Sequence, residues 1–409
     1  MELEKTNPNK IAFCSFTKKA VNEAIDRATS RFNLSASDLP YFKTLHSLGY
    51  LLLGLKKATV MQQSDYKLIG EHLGLKFNAR KDISDLTYGG NPGDKYTFIM
   101  GFARARNIPY RLLWEDIDKE CLNWQEFQRF VSTVNQYKRE HQKFDFQDMI
   151  DMYNKDSNLD VLILDEAQDL STSQWLFVEK VFRNTKRIYI AGDDDQAIYQ
   201  WSGADVEHFI HKKGQIEQLK QSWRVPNKVF NAAQGIVNRI SNRTPKLYQP
   251  KDEQGEVVYW NDVDHIDMSS GTWMLLGRNL HYLSELQRII YEKGYMFTIK
   301  GKLGISYDHV KAISAWERWR KDGPLSIEEE RAISELTGTD IESWDKSQIW
   351  HKALVNIPIE LREYYISLLR NGESLTKPPR IHINTIHGVK GGEADNVVLL
   401  SDMTTATWE

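Results

Sequence analysis

The 409-residue sequence predicts an α/β protein with parallel sheets, helices on both sheet faces and inserted helical segments. Two observations carry this fold class. Short apolar runs of strand length alternate with amphipathic stretches of helical period, the pattern of a parallel sheet covered on both sides. Several of those runs also end in Asp, Glu or Gly, as strands do where they reach the ligand-binding edge of such a sheet. The length exceeds one ordinary domain, so two or more compact units are expected.

The elements follow in order. Residues 11–14 form a strand that passes through Ser15-Phe16-Thr17 into a helix, with Thr17 as its N-cap. Residues 51–142 are helical and rich in charge around a Gly/Pro-rich loop, Tyr88 to Gly93, and read as an inserted helical subdomain. Residues 158–164 form a strand ending in Asp165-Glu166, followed by a capped amphipathic helix in STSQWLFVEKVF. Residues 186–191 form another strand, ending at Gly192-Asp193. A helix begins at Asn227, then strands at 256–260 and 272–276, a helix at 281–293, a strand at 295–299 and a strand pair at 381–385 and 396–400. Residues 303–379 interrupt this second α/β unit with a helical, Trp-containing segment closed by Lys377-Pro-Pro. No fixed-period repeat or low-complexity tract stands out.

Composition narrows the function classes. With 41% hydrophobic and 27% charged residues the chain reads as globular, and no apolar run reaches bilayer length. The polar start, MELEKTNPNK, does not read as a secretory signal, so the cytosol is the expected compartment. Cys14 and Cys121 lack CxxC or His-rich context and read as small apolar residues, against a disulfide framework or zinc site. A net charge of −3 gives no global basic field, so any nucleic-acid site must be local.

The strongest local signal is Val161-Leu-Ile-Leu-Asp-Glu-Ala-Gln-Asp169. A buried strand that ends in two adjacent carboxylates delivers them to the sheet's crevice, where Asp165 would hold Mg²⁺ and Glu166 would orient and deprotonate an attacking water. Taken alone, an Asp-Glu pair is more often an acidic helix cap. The run from Ile188 to Ala204 reverses that preference: a strand leads into Gly192, three Asp residues and Gln196, an amide able to sense a terminal phosphate. Tyr199 and Trp201 follow, offering stacking faces for unpaired bases. LDEAQD followed by AGDDDQAIYQWSGA resembles motifs II and III of UvrD/Rep-like superfamily 1 helicases.

Further matches occur in that family's order. Ala12 to Ala20 (AFCSFTKKA) resembles motif Ia, with Lys18 where the family has Asn; Thr44-Leu-His-Ser47 resembles the next DNA-contacting motif, and Phe144 to Asp148 the segment before motif II. Leu219 to Arg224 (LKQSWR) resembles motif IV, with Trp223 in place of Tyr, and Ile383 to Glu393 (INTIHGVKGGE) resembles motif V. The resemblance implies ATP and Mg²⁺ as cofactors, with Trp223 stacking on adenine, Arg224 reaching the γ-phosphate and Glu393 near the ribose. It further implies that Phe16, Thr17, His46, Tyr199, Trp201, Thr385 and His387 contact DNA, and that the partners are single-stranded DNA and duplex junctions, with no membrane. The implied architecture is two RecA-like domains, 1–50 with 143–215 and 216–302 with 380–409, carrying helical insertions at 51–142 and 303–379. The second insertion is short for the family.

The phosphate cradle GxxxxGK[ST] does not occur in the sequence: Gly301-Lys302 is followed by Leu303, and the upstream glycine is missing. The expectation is a fragment that begins after this motif, leaving the first domain incomplete, and that stops before the family's last motif, at the end of the second domain. It would be a 3′–5′ single-stranded-DNA translocase and helicase, inactive on its own. The alternative is a non-hydrolysing single-stranded-DNA-binding relative, which leaves the retained identities of Asp165, Glu166, Gln196 and Arg224 without a reason.

Overall fold

A computed structural model describes residues 5–77, 91–117 and 122–402 of the protein. Cys121 and residues 88–90 of the Gly/Pro-rich loop lie outside the described residues. The chain divides into two compact units, Met1–Glu256 and Val257–Glu409.

In the first unit, β1 (Ile11–Ser15) leads into α1 (Lys18–Phe32), whose N-cap Thr17 accepts from Ala20 N at 3.2 Å. Next come β2 (Phe42–Thr44) and α2 (Leu45–Leu52), then the helical segment α3 (Gln63–Leu73), α4 (Pro92–Ala105), α5 (Tyr110–Asp116) and α6 (Trp124–Glu140). Helix α7 (Phe146–Asp151) precedes β3 (Val161–Asp165), α8 (Thr172–Val181), β4 (Arg187–Ile190) and the short α9 (Val206–Ile210). The unit closes with β5 (Gln221–Pro226), α10 (Asn227–Val237) and β6 (Gln249–Lys251), which pairs in parallel with β5.

The main sheet has the order β2-β1-β3-β4 with every pairing parallel. Alternation along β1 explains its two-sided cover. Ile11 and Phe13 pack with Ala28, Ile25 and Phe32 of α1, while Ala12 and Cys14 pack on the opposite side with Leu45, Leu48, Trp175 and Phe182. Burial pushes the Cys14 thiol up to about 12, in keeping with an inert core residue. β4 lies at one edge of the sheet, and all four of its residues are exposed.

The helical segment has its own core, in which Tyr96, Trp114, Phe127 and Phe130 pack with Ile69, Ile99 and Met100. Its two ends meet, because Met61 N donates to Phe144 O at 2.9 Å and Phe144 N to Thr59 O at 2.8 Å. The entering and leaving segments thus run side by side, joined by an isolated parallel bridge between Val60 and Phe144.

In the second unit β7 (Trp273–Gly277) leads to α11 (His281–Glu292), β8 (Phe297–Ile299) and β9 (Lys302–Leu303). Helices α12 (Tyr307–Trp319), α13 (Ile327–Thr337), α14 (Trp350–Ala353) and α15 (Ile359–Arg370) precede β10 (Ile381–Thr385) and β11 (Asn396–Leu399). The sheet order is β11-β7-β10-β8-β9, parallel except for the β8–β9 hairpin. Gly301-Lys302, the nearest resemblance to a phosphate cradle, belongs to that hairpin: Lys300 and Gly301 take positive φ (51° and 75°), as a tight two-residue hairpin turn needs.

Three expectations change. Residues 256–260 are not a strand: among the described residues no strand pairs with them, and Tyr259 and Trp260 are exposed. Their alternation of apolar residues satisfied the sequence pattern without a partner to complete a ladder. The strands at 381–385 and 396–399 form but are not neighbours, since β7 lies between them. Residues 303–379 are helical as expected but have no separate core; Val310, Ile313, Trp316, Tyr364 and Leu368 share one with Leu286, Phe297 and Ile383.

Candidate nucleotide and DNA site

The site is built at the carboxyl end of the first sheet. Asp165 ends β3 opposite Ser15 of β1, and both are fixed there by the parallel register. The chain then turns sharply at Glu166, which takes the left-handed conformation (φ 52°, ψ 40°) that a residue with a side chain adopts only at a cost of about 1–3 kcal/mol. The turn is locked by Ala167 N donating to Ala191 O at 3.0 Å, which ties it to the end of β4.

Gln168 is fully buried and bridges the two strand ends. Its Nε2 donates to Glu166 Oε2 at 2.6 Å, and its Oε1 accepts from Asp193 N at 3.0 Å. The close approach requires Gly192, where an added Cβ would lie 2.5 Å from Gln168 Oε1 and 2.9 Å from the Phe209 ring. Asp193 in turn accepts from Gln196 Nε2 at 2.6 Å. The base and sensor candidates Glu166 and Gln196, 30 residues apart in sequence, are thus joined by a continuous run of hydrogen bonds.

The aromatic candidates sit beside this run. Phe16 and Tyr199 have ring centroids 5.0 Å apart, and Tyr199 and Trp201 6.3 Å apart. Burial, then the charges of Asp169 and Glu166, push the Tyr199 phenol up, so this ring lies within the electrostatic reach of the carboxylates. His46 makes an edge-to-face contact with Phe146 at 6.1 Å. Burial pushes its pKa down to about 4 against the pull of Asp145, leaving a neutral imidazole at neutral pH.

Other candidates are placed as follows. Trp223 and Arg224 are exposed on β5, and Trp223 is 85% accessible, an open ring face. In the second unit Thr385 and His387 are buried. Thr385 Oγ1 accepts from Gly388 N at 3.1 Å, and His387 Nδ1 lies 3.3 Å from Arg278 Nη1. Glu393 is exposed in the loop before β11.

Residues 1–217 match the sequence model of the UvrD/REP helicase N-terminal domain, more than half of the chain. The chain belongs to the UvrD/REP helicase family. Among its relatives, an ATP-dependent DNA helicase PcrA of Leuconostoc citreum is 23% identical over 304 residues, covering 69% of this chain and 40% of that protein. A probable DNA helicase II homolog of Rickettsia conorii is 25% identical over 324 residues, covering 71% of this chain and 47% of that protein. The PcrA helicase of Bacillus subtilis is 23% identical over 316 residues, covering 68% and 39%. This UvrD/REP helicase chain therefore spans under half the length of these relatives. Among the described residues no helix is long and apolar enough to cross a membrane.

The donor set of this UvrD/REP family chain suits a hard divalent cation, because Asp165 offers carboxylate oxygen and the neighbouring Ser15 Oγ is fully buried with no hydrogen-bond partner among the described residues. Gln168 and Asp193 lie within the motif II- and III-like segments, and their bridging role shows only in the fold. Arg243 and Lys246, absent from every motif, contact the Asp193–Asp195 loop from about 50 residues away. Their only sequence signal was two cations in a polar loop, a common pattern.

Proposed function

We propose that the protein is an ATP-dependent translocase on single-stranded DNA and a helicase at duplex junctions, moving 3′ to 5′, in the cytosol and in DNA repair or replication. The observation that carries this reading is the hydrogen-bonded run from Glu166 through Gln168 and Asp193 to Gln196, lying against the Phe16–Tyr199–Trp201 aromatic group. One set of residues can thereby sense nucleotide and DNA together.

In this reading Glu166 accepts the proton of the attacking water, and Gln168 holds its carboxylate on line. Gln196 donates to the terminal phosphate, Arg224 supplies positive charge to it, Trp223 stacks on the adenine and Glu393 meets the ribose. Asp165 would hold Mg²⁺, which neutralises phosphate charge when bound. Phe16, Tyr199 and Trp201 stack on bases, and Thr17 and His46 border the strand. Thr385 and His387 act here by shaping the turn after β10 and by presenting Arg278.

The sequence contains no GxxxxGK[ST] segment, so hydrolysis by these 409 residues alone is expected to be weak or undetectable. The same observation favours a second reading, a passive single-strand binder. Salt-dependent binding of labelled single-stranded DNA, with and without a Mg²⁺–nucleotide analogue, separates the two. A motor-type site changes DNA affinity when nucleotide binds; identical affinities would support the passive binder. With the phosphate cradle supplied, Glu166→Gln should abolish hydrolysis and spare DNA binding. Sustained unwinding by that variant would remove Glu166 as the base.

A further inference from the structure

The loop between α10 and β6 reaches across to the Gln196 loop. Arg243 donates from Nε and Nη2 to the two oxygens of Asp195 at 2.7 and 2.6 Å, and Thr244 N donates to Asp194 Oδ2 at 2.6 Å. Lys246 Nζ lies 2.5 Å from Asp193 Oδ1, 2.5 Å from Asp194 Oδ1 and 2.8 Å from Asp195 Oδ2. Three consecutive carboxylates with oxygens within 4.8 Å of one another would repel each other, and among the described residues Lys246 alone touches all three.

The two oxygens of Asp193 are divided. Oδ1 faces Lys246, and Oδ2 accepts the Gln196 amide. Asp195 N also donates to Oδ1, at 3.2 Å, so removing the ammonium leaves Asp193 turned toward two like charges and held on that side by one backbone amide. Lys246 also lies three residues before Gln249, which pairs with Gln221 of β5, the strand that carries Trp223 and Arg224. The Lys246 side chain is only 21% exposed, so this contact is not a solvated surface pair.

We infer that Lys246 is a positioning residue of the hydrolytic site: it fixes the Asp193 carboxylate, which fixes the Gln196 amide, and it ties that loop to β5. The role of Gln196 rests on the function proposed above, whereas the positioning itself does not.

The test uses the full chain with ¹⁵N-labelled glutamine side chains, the Gln196 amide signals being assigned by their loss in Gln196→Ala. In Lys246→Met these signals should shift and exchange with water about tenfold faster, the effect of losing one charge-assisted contact. Lys246→Arg should restore them. Asp193→Asn, which keeps the shape, should reproduce the Met variant. The amide of Gln174, whose Oε1 accepts from Ser171 N, should stay unmoved in all three. Unchanged Gln196 signals in both Lys246→Met and Asp193→Asn would overturn the inference, as would equal movement of the Gln174 signals in both. Turnover measured in the same variants with the phosphate cradle supplied judges the other reading: shifted signals with undiminished kcat would leave Lys246 as the holder of the loop and remove Gln196 from catalysis.

Discussion

Arg104 offers the sharpest test of how the helical insertion supports the site. From α4 its guanidinium donates to Asp145 at 2.9 Å, Asp148 at 2.8 Å and Asp151 at 2.9 Å, while Lys138 of α6 lies 2.8 Å from Asp145. The Arg104 side chain is 18% exposed and those of Asp145 and Asp148 are 9% exposed, so water screens the cluster weakly. Arg104→Met keeps the aliphatic stem and removes one of the two cations facing three carboxylates. Breaking a buried pair from one side costs about 3–5 kcal/mol, because the abandoned charge stays buried. The Asp151 contact adds little, since that side chain is 36% exposed.

The expected loss is therefore about 3–4 kcal/mol in the first unit, a large part of an ordinary domain's stability. Urea unfolding, with hydrogen exchange read at residues 146–151, measures it. The pH dependence supplies a sign check. Burial raises the Asp145 carboxyl, but Arg104 and then Lys138 override it and hold the group below its ordinary range. A depressed carboxyl stabilises above its unfolded value and loses that stabilisation as pH falls through the folded one. The gap between parent and variant should thus close in acid. A loss under about 1 kcal/mol at neutral pH, or a gap that persists in acid, would refute the view that this cluster clamps α7 beneath His46.

Two further predictions concern the site itself. Tyr199→Ala should weaken binding of single-stranded DNA by about five- to a hundredfold without changing the salt slope, because stacking and not phosphate contact is lost. Fluorescence anisotropy across a salt series measures both quantities, and an unaltered affinity would remove the ring from the strand path. Gly192→Ala should cost about 1–3 kcal/mol by driving a methyl group into Gln168 and Phe209, and denaturant titration at unchanged m-value reads the loss.

The sequence by itself determined what is local. Thr17 caps α1 because its hydroxyl needs only Ala20 N three residues on, and the alternation in Ile11 to Cys14 sorts side chains to two covered faces without reference to any distant segment. Asp165-Glu166 at the end of an apolar strand announced the crevice for the same reason. Tertiary structure decided whatever depends on a partner far along the chain. Residues 256–260 had strand-like alternation, yet a strand exists only when a second one accepts its hydrogen bonds. The segment 303–379 was legible as helical, but periodicity does not say which core a helix face enters, and Trp316 shares one with Phe297 and Ile383. Thr385 and His387 looked like surface contacts and are buried. The network from Glu166 through Gln168 and Asp193 to Lys246 spans 80 residues, and only the packing of β3 beside β4, with the 242–246 loop against the Asp193–Asp195 loop, brings those polar groups within hydrogen-bond range.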